Sequence, residues 1–320
     1  MRQLARAAVL GMMLAGGVGH AQEAWPSRNL TFIVPYAAGG YTDLIGRITA
    51  RYVESALTKT IIVENRVGAG GIIGTQAVVN APPDGYTFCV CSIGAISIAP
   101  FVQKVGYDPV RDFAPIGIVS SIAQVVITNK NLPVKTLPEF VAYAKAHPGK
   151  LNYGSSGAGG LTHYAVELFL ARTATTAVHI PFKGGAQSTA AVISGDVDFA
   201  FANMTDALPY VEADVVRGLA VTSRERSAYV RDLPTVHETI AANFIVETWN
   251  GIIAPLGTPD PIVRTMSAIL LKMADDAGVR ASMRKAGADT VKNTPDEYRA
   301  QILQEIVQWK PLISEIADKK

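Results

Sequence analysis

Two glycine-rich segments of this sequence bring together main-chain amides, hydroxyl groups and aromatic rings. They are residues 35–43 (PYAAGGYTD) and residues 154–163 (GSSGAGGLTH). Each follows an apolar run and leads into a helical pattern, so its amides lie at the start of a helix. Unpaired N–H groups and about half a positive charge at that end attract a carboxylate or a phosphate, and glycine allows close approach. The pair predicts an anion site gripped from two sides; ordinary tight turns are the alternative.

The side chains of these segments are predicted to have different roles. Tyr36 and Tyr41 are interpreted as cleft walls, because an aromatic ring between glycine turns is exposed unless a ligand covers it. Thr42 and Asp43 are interpreted as helix caps, since the carboxylate of Asp43 would repel an anionic ligand. His163 lies in the first turn of its helix, where it could donate to a carboxylate; a purely structural histidine is the alternative.

Further polar and main-chain groups complete the predicted ligand-binding set. Lys183 could supply a positive charge, with a solvated loop lysine as the alternative. The set consists of Tyr36, Ala38, Gly39, Gly40, Tyr41, Thr42, Asp43, Ser92, Ser155, Ser156, Gly159, Gly160, His163, Phe182, Lys183, Gly184 and Asn203. No catalytic residue, metal ligand or cofactor is predicted.

Enzyme chemistry is matched less well by the same sequence. The run 154–158 (GSSGA) has alanine where the nucleophile-elbow pattern needs its last glycine. Asp232 and His237 follow in a workable order, so a serine hydrolase remains an alternative. The run 68–74 (GAGGIIG) follows a strand, but its last glycine comes one residue late for a dinucleotide fingerprint. The histidines are far apart and lack a nearby acidic motif, which argues against a metal site.

Apolar runs alternate with helical patterns along the chain, which predicts an α/β protein. Runs that read as buried parallel strands are residues 30–34, 60–63, 87–91, 116–118 and 125–128. Thr136 is predicted to cap a helix, after which a strand, loop and helix unit occurs twice. Because about 300 residues are more than one core usually supports, two domains are expected.

The second block of elements interrupts the first. Residues 120–128 and 244–254 are interpreted as two extended crossings between the blocks, which would act as a hinge. The predicted organisation is domain 1 from residues 22–122 plus 248–320 and an inserted domain 2 from residues 123–247. Each domain is expected to hold a mixed, mostly parallel sheet flanked by helices.

The amino terminus has the pattern of an export signal. Arg2 and Arg6 are followed by an apolar run and the small-residue stretch 19–21, which predicts a signal peptide over residues 1–21 and a periplasmic protein. Removal of this segment takes away Arg2 and Arg6 and no acidic residue, so the 29 basic residues become 27, equal to the 27 acidic ones. No basic stripe with interleaved aromatic residues is present in the sequence, which argues against a nucleic-acid partner.

Several ordered motifs run through the whole mature chain. They include Trp25-Pro26, Ile33-Val34-Pro35-Tyr36 with Gly39-Gly40 and Thr42-Asp43, Val63-Glu64-Asn65-Arg66 with Gly68-Ala69-Gly70-Gly71, Pro83-Asp84-Gly85-Tyr86-Thr87, Tyr107-Asp108-Pro109, Leu151-Asn152-Tyr153-Gly154-Ser155, His163 with Glu167-Leu168-Phe169, Pro181-Phe182-Lys183-Gly184, Leu219-Ala220-Val221-Thr222-Ser223, Arg226, and Trp249 with Ala254-Pro255. In this order they resemble the tripartite tricarboxylate receptor family, also called Bug proteins.

The resemblance implies a periplasmic receptor with a type II-like, two-domain binding-protein fold that hands its ligand to a membrane permease. It also implies a small carboxylate or amide ligand, held in the interdomain cleft largely by main-chain amides and ordered waters from residues 36–43 and 155–163. A monomer is expected. A ligand-presenting sensor for a signalling system is the alternative.

Departures from the family pattern bear on the ligand. Tyr41 stands where relatives usually have proline, and Ala202 stands where an aspartate is usual. Ala95, Ile96 and Ala99 replace a threonine-histidine pair and an asparagine. If these positions face the cleft, the ligand is expected to have an apolar or aromatic body rather than the amino group of an amino acid.

Overall fold

The computed structural model describes residues 25–318, with side chains through residue 316, so the predicted signal peptide lies outside the described residues. The strands are β1 (Leu30–Val34), β2 (Ile61–Asn65), β3 (Thr87–Ser92), β4 (Phe113–Thr128), β5 (Asn152–Ser155), β6 (Val178–Pro181), β7 (Phe199–Asn203), β8 (Arg217–Val221), β9 (Glu247–Pro255) and β10 (Asp289–Thr290). The helices are α1 (Tyr41–Leu57), α2 (Ile72–Val79), α3 (Ala99–Val102), α4 (Leu137–Ala146), α5 (Leu161–Thr173), α6 (Gly185–Ser194), α7 (Met204–Glu212), α8 (Val236–Thr239), α9 (Asp260–Asp275), α10 (Ala277–Lys285) and α11 (Pro295–Asp318).

The strands form two groups that share β4. Their hydrogen-bonded order is β2-β1-β3-β9-β4-β7-β5-β6, and β8 and β10 also pair with β4. Residues 113–123 of β4 pair with β9, whereas residues 124–128 pair with β7 and β8. We call the group with β1, β2, β3, β9 and β10 lobe 1, and the group with β5 to β8 lobe 2. The α/β architecture predicted from the sequence is confirmed.

The strand predictions are right for the two parallel parts of the sheet and wrong for its centre. β1 is parallel to β2 and β3, and β5 is parallel to β6 and β7. The runs 116–118 and 125–128, interpreted as separate parallel strands, both belong to β4, which is antiparallel to its partners. The pattern misleads because nearly all of β4 is buried, and burial on both faces is the usual mark of a parallel strand.

A local signal accounts for the start of α4. The Thr136 hydroxyl accepts a hydrogen bond from the Glu139 N–H at 3.3 Å, and Pro138 follows in the first turn, where its missing N–H costs nothing. The cap predicted at Thr136 is confirmed. Beyond β9 the chain is mainly helical, and the short strand β10 lies between α10 and α11 and pairs with β4 at Ser120 and Ser121.

Aromatic residues fill the interior of lobe 2. The ring of Phe199 is fully buried and lies 4.9 Å from the ring of Phe140 and 5.6 Å from that of Tyr153, measured between centroids. Apolar packing also continues into lobe 1 through α11, whose Trp309 and Ile302 belong to the same buried cluster. The two lobes are therefore joined by packing as well as by their shared strand. Within residues 25–318, no helix has the length and apolar content needed to cross a bilayer.

Truncation of a ring at the centre of lobe 2 tests this packing. Phe199→Ala is expected to lower the free energy of unfolding by about 3–5 kcal/mol, because a large cavity replaces a buried ring. Urea denaturation followed by circular dichroism measures the loss. Val307→Ala is the control, since Val307 is 74% exposed and its truncation should change stability by less than about 0.5 kcal/mol. Equal effects of the two substitutions would contradict the assigned core.

Candidate functional site

A small cavity lies between the lobes, at the starts of α1, α5 and α6. Its volume is about 30 Å³, enough for one or two water molecules. Both lobes contribute to its wall, which is lined by Tyr36, Ala37, Gly40, Tyr41, Thr42, Ser92, Ser156, Leu161, Thr162, Gly185, Asn203, Asp206 and Thr248. These residues include first-turn residues of four helices, α1 from lobe 1 and α5, α6 and α7 from lobe 2, so the starts of helices from both lobes meet at one cavity.

The predicted ligand-binding residues divide into two groups. Those that line the cavity are Tyr36, Gly40, Tyr41, Thr42, Ser92, Ser156 and Asn203. Those that do not line it are Ala38, Gly39, Asp43, Ser155, Gly159, Gly160, His163, Phe182, Lys183 and Gly184. Lining residues that sequence reasoning missed are Ala37, Leu161, Thr162, Gly185, Asp206 and Thr248. Most of the missed residues adjoin a predicted one; Asp206 and Thr248 do not.

Tyr41 does not form the exposed wall that its position after two glycines suggests. Its side chain is only 1% exposed, and its hydroxyl bonds the Ser120 hydroxyl at 2.8 Å inside lobe 1. Burial raises the pKa of the phenol, so it remains protonated. The main-chain N–H of Tyr41 faces the other lobe and donates to Asp206 Oδ1 at 2.9 Å. A proline at this position could not make that bond.

Tyr36 forms part of the cavity wall and is fixed from within lobe 1. Its hydroxyl donates to the Gly70 carbonyl at 2.8 Å and bonds the Ser92 hydroxyl at 2.9 Å. Burial raises the pKa of Tyr36 to about 12. The ring is therefore a rigid neutral surface of the cavity, and its contact with a ligand stays a prediction.

Asp43 supports the first glycine-rich loop. Its carboxylate accepts hydrogen bonds from the Gly39 N–H at 3.0 Å, Arg47 Nε at 2.9 Å and Asn65 Nδ2 at 2.9 Å. Burial alone would raise the pKa of this carboxyl, but the hydrogen bonds from Arg47, Gly39 and Asn65 hold it below its ordinary value. The charged side chain thus fixes the loop that leads into α1. The interpretation of Thr42 and Asp43 as helix caps is wrong, since the N-cap is Gly40 and no side chain caps the helix.

His163 and Lys183 act away from the cavity. His163 Nδ1 accepts the Gly159 N–H at 3.2 Å, and its ring stacks on His179 with 3.9 Å between centroids. The histidine therefore shapes the second glycine-rich loop and does not line the cavity. Lys183 uses its main chain: its carbonyl accepts the Ala37 N–H at 3.1 Å and so ties lobe 2 to lobe 1.

Glycines allow the lobes to meet through their main chains. A Cβ added at Gly70 in lobe 1 would lie 2.5 Å from the Ala158 carbonyl oxygen and 2.9 Å from the Gly160 nitrogen in lobe 2. A Cβ at Gly94 would lie 2.8 Å from the Leu161 nitrogen. Real Cβ atoms do not approach this closely, so any side chain at these positions would hold the lobes apart.

Asp206 is the one carboxylate in the described lining of the cavity. It lies in the first turn of α7 in lobe 2 and is 6% exposed. Oδ1 accepts the Tyr41 N–H across the lobe interface, and Oδ2 accepts Asn203 Nδ2 at 3.2 Å. Burial raises the pKa of Asp206 to about 6 against these two hydrogen bonds. The sequence gives no signal for this role, because an acidic residue in a helix's first turn is commonplace.

The residues named for the enzyme alternatives have other partners in the structure. Ser156 Oγ bonds Thr162 Oγ1 at 2.8 Å, and His237 Nδ1 accepts the Asn243 N–H at 2.8 Å, so serine and histidine are engaged separately. Gly74, in the run that resembled a dinucleotide fingerprint, packs against lobe 1, where an added Cβ would lie 2.8 Å from Pro35 Cα. Among residues 25–318, no group of three or more histidine, cysteine, aspartate or glutamate side chains is placed to hold a metal ion.

The family departures at residues 95, 96, 99 and 202 do not line the cavity. Ala202 is buried in the lobe 2 core with Val125 and Ala200, and Ile96 is buried in the cluster that the lobes share. The apolar or aromatic ligand body predicted from these residues required them to face the cleft. That condition is not met.

Comparisons with known proteins agree with this architecture. The family model of the tripartite tricarboxylate transporter family receptor matches residues 45–317. BugT of Bordetella pertussis is 30% identical over 320 residues, covering 98% of this chain and 97% of BugT. The structure of the periplasmic binding protein BugD has a TM-score of 0.88 at 31% identity, covering 92% of this chain and 99% of BugD.

A protein of R. palustris solved with adipate has a TM-score of 0.89 at 29% identity, covering 92% of this chain and 98% of that protein. The resemblance noted in the sequence is thereby confirmed, as is the two-domain binding-protein fold. The chain belongs to the tripartite tricarboxylate transporter family of receptors, the periplasmic solute-binding Bug proteins.

Proposed function

We propose that this protein captures a small carboxylate or amide in the cavity between its lobes and delivers it to a membrane permease of the tripartite tricarboxylate type. The observation that carries the proposal is the convergence of the first turns of α1, α5 and α6 on one cavity wall. The adipate complex of a similar protein supports a carboxylate as part of the ligand. We further propose export as a periplasmic monomer after removal of residues 1–21.

Main-chain groups are proposed to do most of the binding. The described lining contains no lysine, arginine or histidine, so a ligand carboxylate would depend on N–H groups and hydroxyls. Leu161 and Thr162 supply the first turn of α5, and Ser156 adds a hydroxyl beside them. Such donors are fixed in place before the ligand arrives, which lowers the entropy cost of binding. No step of this proposal breaks a covalent bond, and we propose a receptor, not an enzyme.

Ligand entry requires the lobes to separate. A cavity of about 30 Å³ is far smaller than the roughly 300 Å³ of ordinary ligand sites. The chain crosses between the lobes where β4 changes partners after Ala123 and where β9 begins at Glu247. We propose that these crossings, within residues 120–128 and 244–254, form the hinge between residues 22–122 plus 248–320 and residues 123–247.

A thermal-shift screen of residues 22–320 with small carboxylates and amides tests the proposal. A ligand at 100 times its dissociation constant is expected to add about 2.7 kcal/mol to the free energy of unfolding, since it binds only the folded protein. The ligand recovered after dissociation should be chemically unchanged, which mass spectrometry can check. A broad library without any stabilising compound would contradict capture, and conversion of a bound compound would contradict a receptor role.

Close approach of the lobes is tested by Gly70→Ala. The added methyl group would meet Ala158 and Gly160, so the variant is expected to bind at least about tenfold more weakly than the wild type, a loss of about 1.4 kcal/mol. Gly149→Ala is a matched control, because Gly149 has a similar positive φ of 69° against 63° at Gly70 but no atom near its added Cβ. Calorimetry with a ligand from the screen measures both. Equal affinities would show that closure at Gly70 is not needed.

A further inference from the structure

The cavity already contains a negatively charged group of the protein. The Asp206 carboxylate belongs to lobe 2, yet it reaches the start of α1 in lobe 1, where it accepts the Tyr41 N–H at 2.9 Å. A Cβ added at Gly185, the first residue of α6, would lie 1.9 Å from Asp206 Oδ2. The carboxylate therefore sits between the starts of α1 and α6, which are positions that favour an anion.

Asp206 has fewer donors than an ionised carboxylate can use. A carboxylate accepts about four hydrogen bonds, whereas the described structure gives this one the Tyr41 N–H and the Asn203 amide. Among the described residues, no lysine, arginine or histidine forms an ion pair with it. The Asn203 side chain is itself fixed, because its amide oxygen Oδ1 accepts a hydrogen bond from the Thr248 hydroxyl at 3.1 Å.

A second carboxylate at this end of the cavity would face two obstacles. Asp206 already uses the Tyr41 N–H, and two like charges in a buried site repel each other strongly. A primary amide or an ammonium is favoured at the same place, because each donates N–H groups to the unused acceptor positions of Asp206. A ligand carboxylate can instead bind at another part of the wall, where the start of α5 and the hydroxyl of Ser156 lie.

We infer that Asp206 is a specificity-determining residue, which excludes a ligand carboxylate from the starts of α1 and α6 and selects a hydrogen-bond-donating group there. The inference rests on the proposed capture of a carboxylate or amide in this cavity. It narrows the ligand class to molecules with one carboxylate, or an amide in its place, and an amide or ammonium at the opposite end. Compounds with two carboxylates are disfavoured.

Because Asp206 can be protonated, the affinity for each class of ligand is expected to change with pH in a defined direction. Burial raises the pKa of Asp206 to about 6, so the carboxyl is mostly ionised at pH 8 and mostly protonated at pH 5. A bound ammonium would lower that pKa, so its affinity should fall as the pH falls through 6. A bound dicarboxylate would raise the pKa, so its affinity should rise. The other titratable groups on the wall are Tyr36 and Tyr41, and burial raises the pKa of both phenols, so they stay neutral over this range.

Matched probes with equal chain length test the selection. Calorimetry compares adipate, adipamate and 6-aminohexanoate, and a shorter series of succinate, succinamate and 4-aminobutanoate covers a smaller site. Wild-type protein is expected to bind the amide or ammonium member more than about tenfold tighter than the dicarboxylate. Asp206→Asn should reverse or abolish that preference. Asp196→Asn, which removes an exposed carboxylate of the same lobe, should leave it unchanged.

The outcomes separate this inference from the proposed function. If dicarboxylates bind and the ratio of affinities is the same in wild type and Asp206→Asn, the role of Asp206 is refuted while capture stands. If no probe of either length binds either protein at millimolar concentration, capture of this ligand class is refuted and the inference falls with it. Should Asp206→Asn fail to fold, wild-type titrations from pH 8 to pH 5 decide: a preference for the ammonium probe that does not decline would refute the inference.

Discussion

The interlobe cavity depends on the approach of one main chain to another. Gly70 meets the loop of Ala158 and Gly160, and Gly94 meets the start of α5, at distances that exclude any Cβ. Because no side chains separate the lobes at these points, N–H groups of helix starts in both lobes reach the same small volume. These N–H groups are parts of the backbone, so their positions are fixed by strands and helices and not by side-chain rotamers.

The sequence predicts these loops well because their signals are local. An apolar run, a glycine-rich turn and a helix follow one another within each loop, and the structure places Gly40 and Ser156 at the cavity as expected. Tyr41 shows the limit of the same reasoning. A ring that follows two glycines is predicted to be exposed. Only the tertiary packing of α1 shows that the Tyr41 hydroxyl bonds the Ser120 hydroxyl inside lobe 1. Strand direction in β4 was misread for a related reason, since burial on both faces does not reveal orientation.

Asp206 could not be found from sequence because its role arises from distant parts of the chain. Tyr41 and Asp206 are 165 residues apart and meet only when the lobes are together. Neither residue belongs to a sequence motif that predicts the contact. Their hydrogen bond joins the N-terminus of α1 in lobe 1 to a buried carboxylate of lobe 2, so a partial positive charge meets a negative charge at the interface. In the receptor proposed above, ligand selection comes partly from the lobe 2 carboxylate that meets lobe 1 when the lobes are together.

The strand β4 also determines the order in which the chain can assemble. Its residues 113–123 pair with β9, which begins only at Glu247, and β3 pairs with the same late strand. The strands β5 to β8 all lie in the stretch between them. A chain that emerges amino terminus first can therefore complete the pairing of lobe 2 while the sheet of lobe 1 still lacks its central strand. During that interval the early edges of β3 and β4 are unpaired, which makes this the period of greatest risk for aggregation.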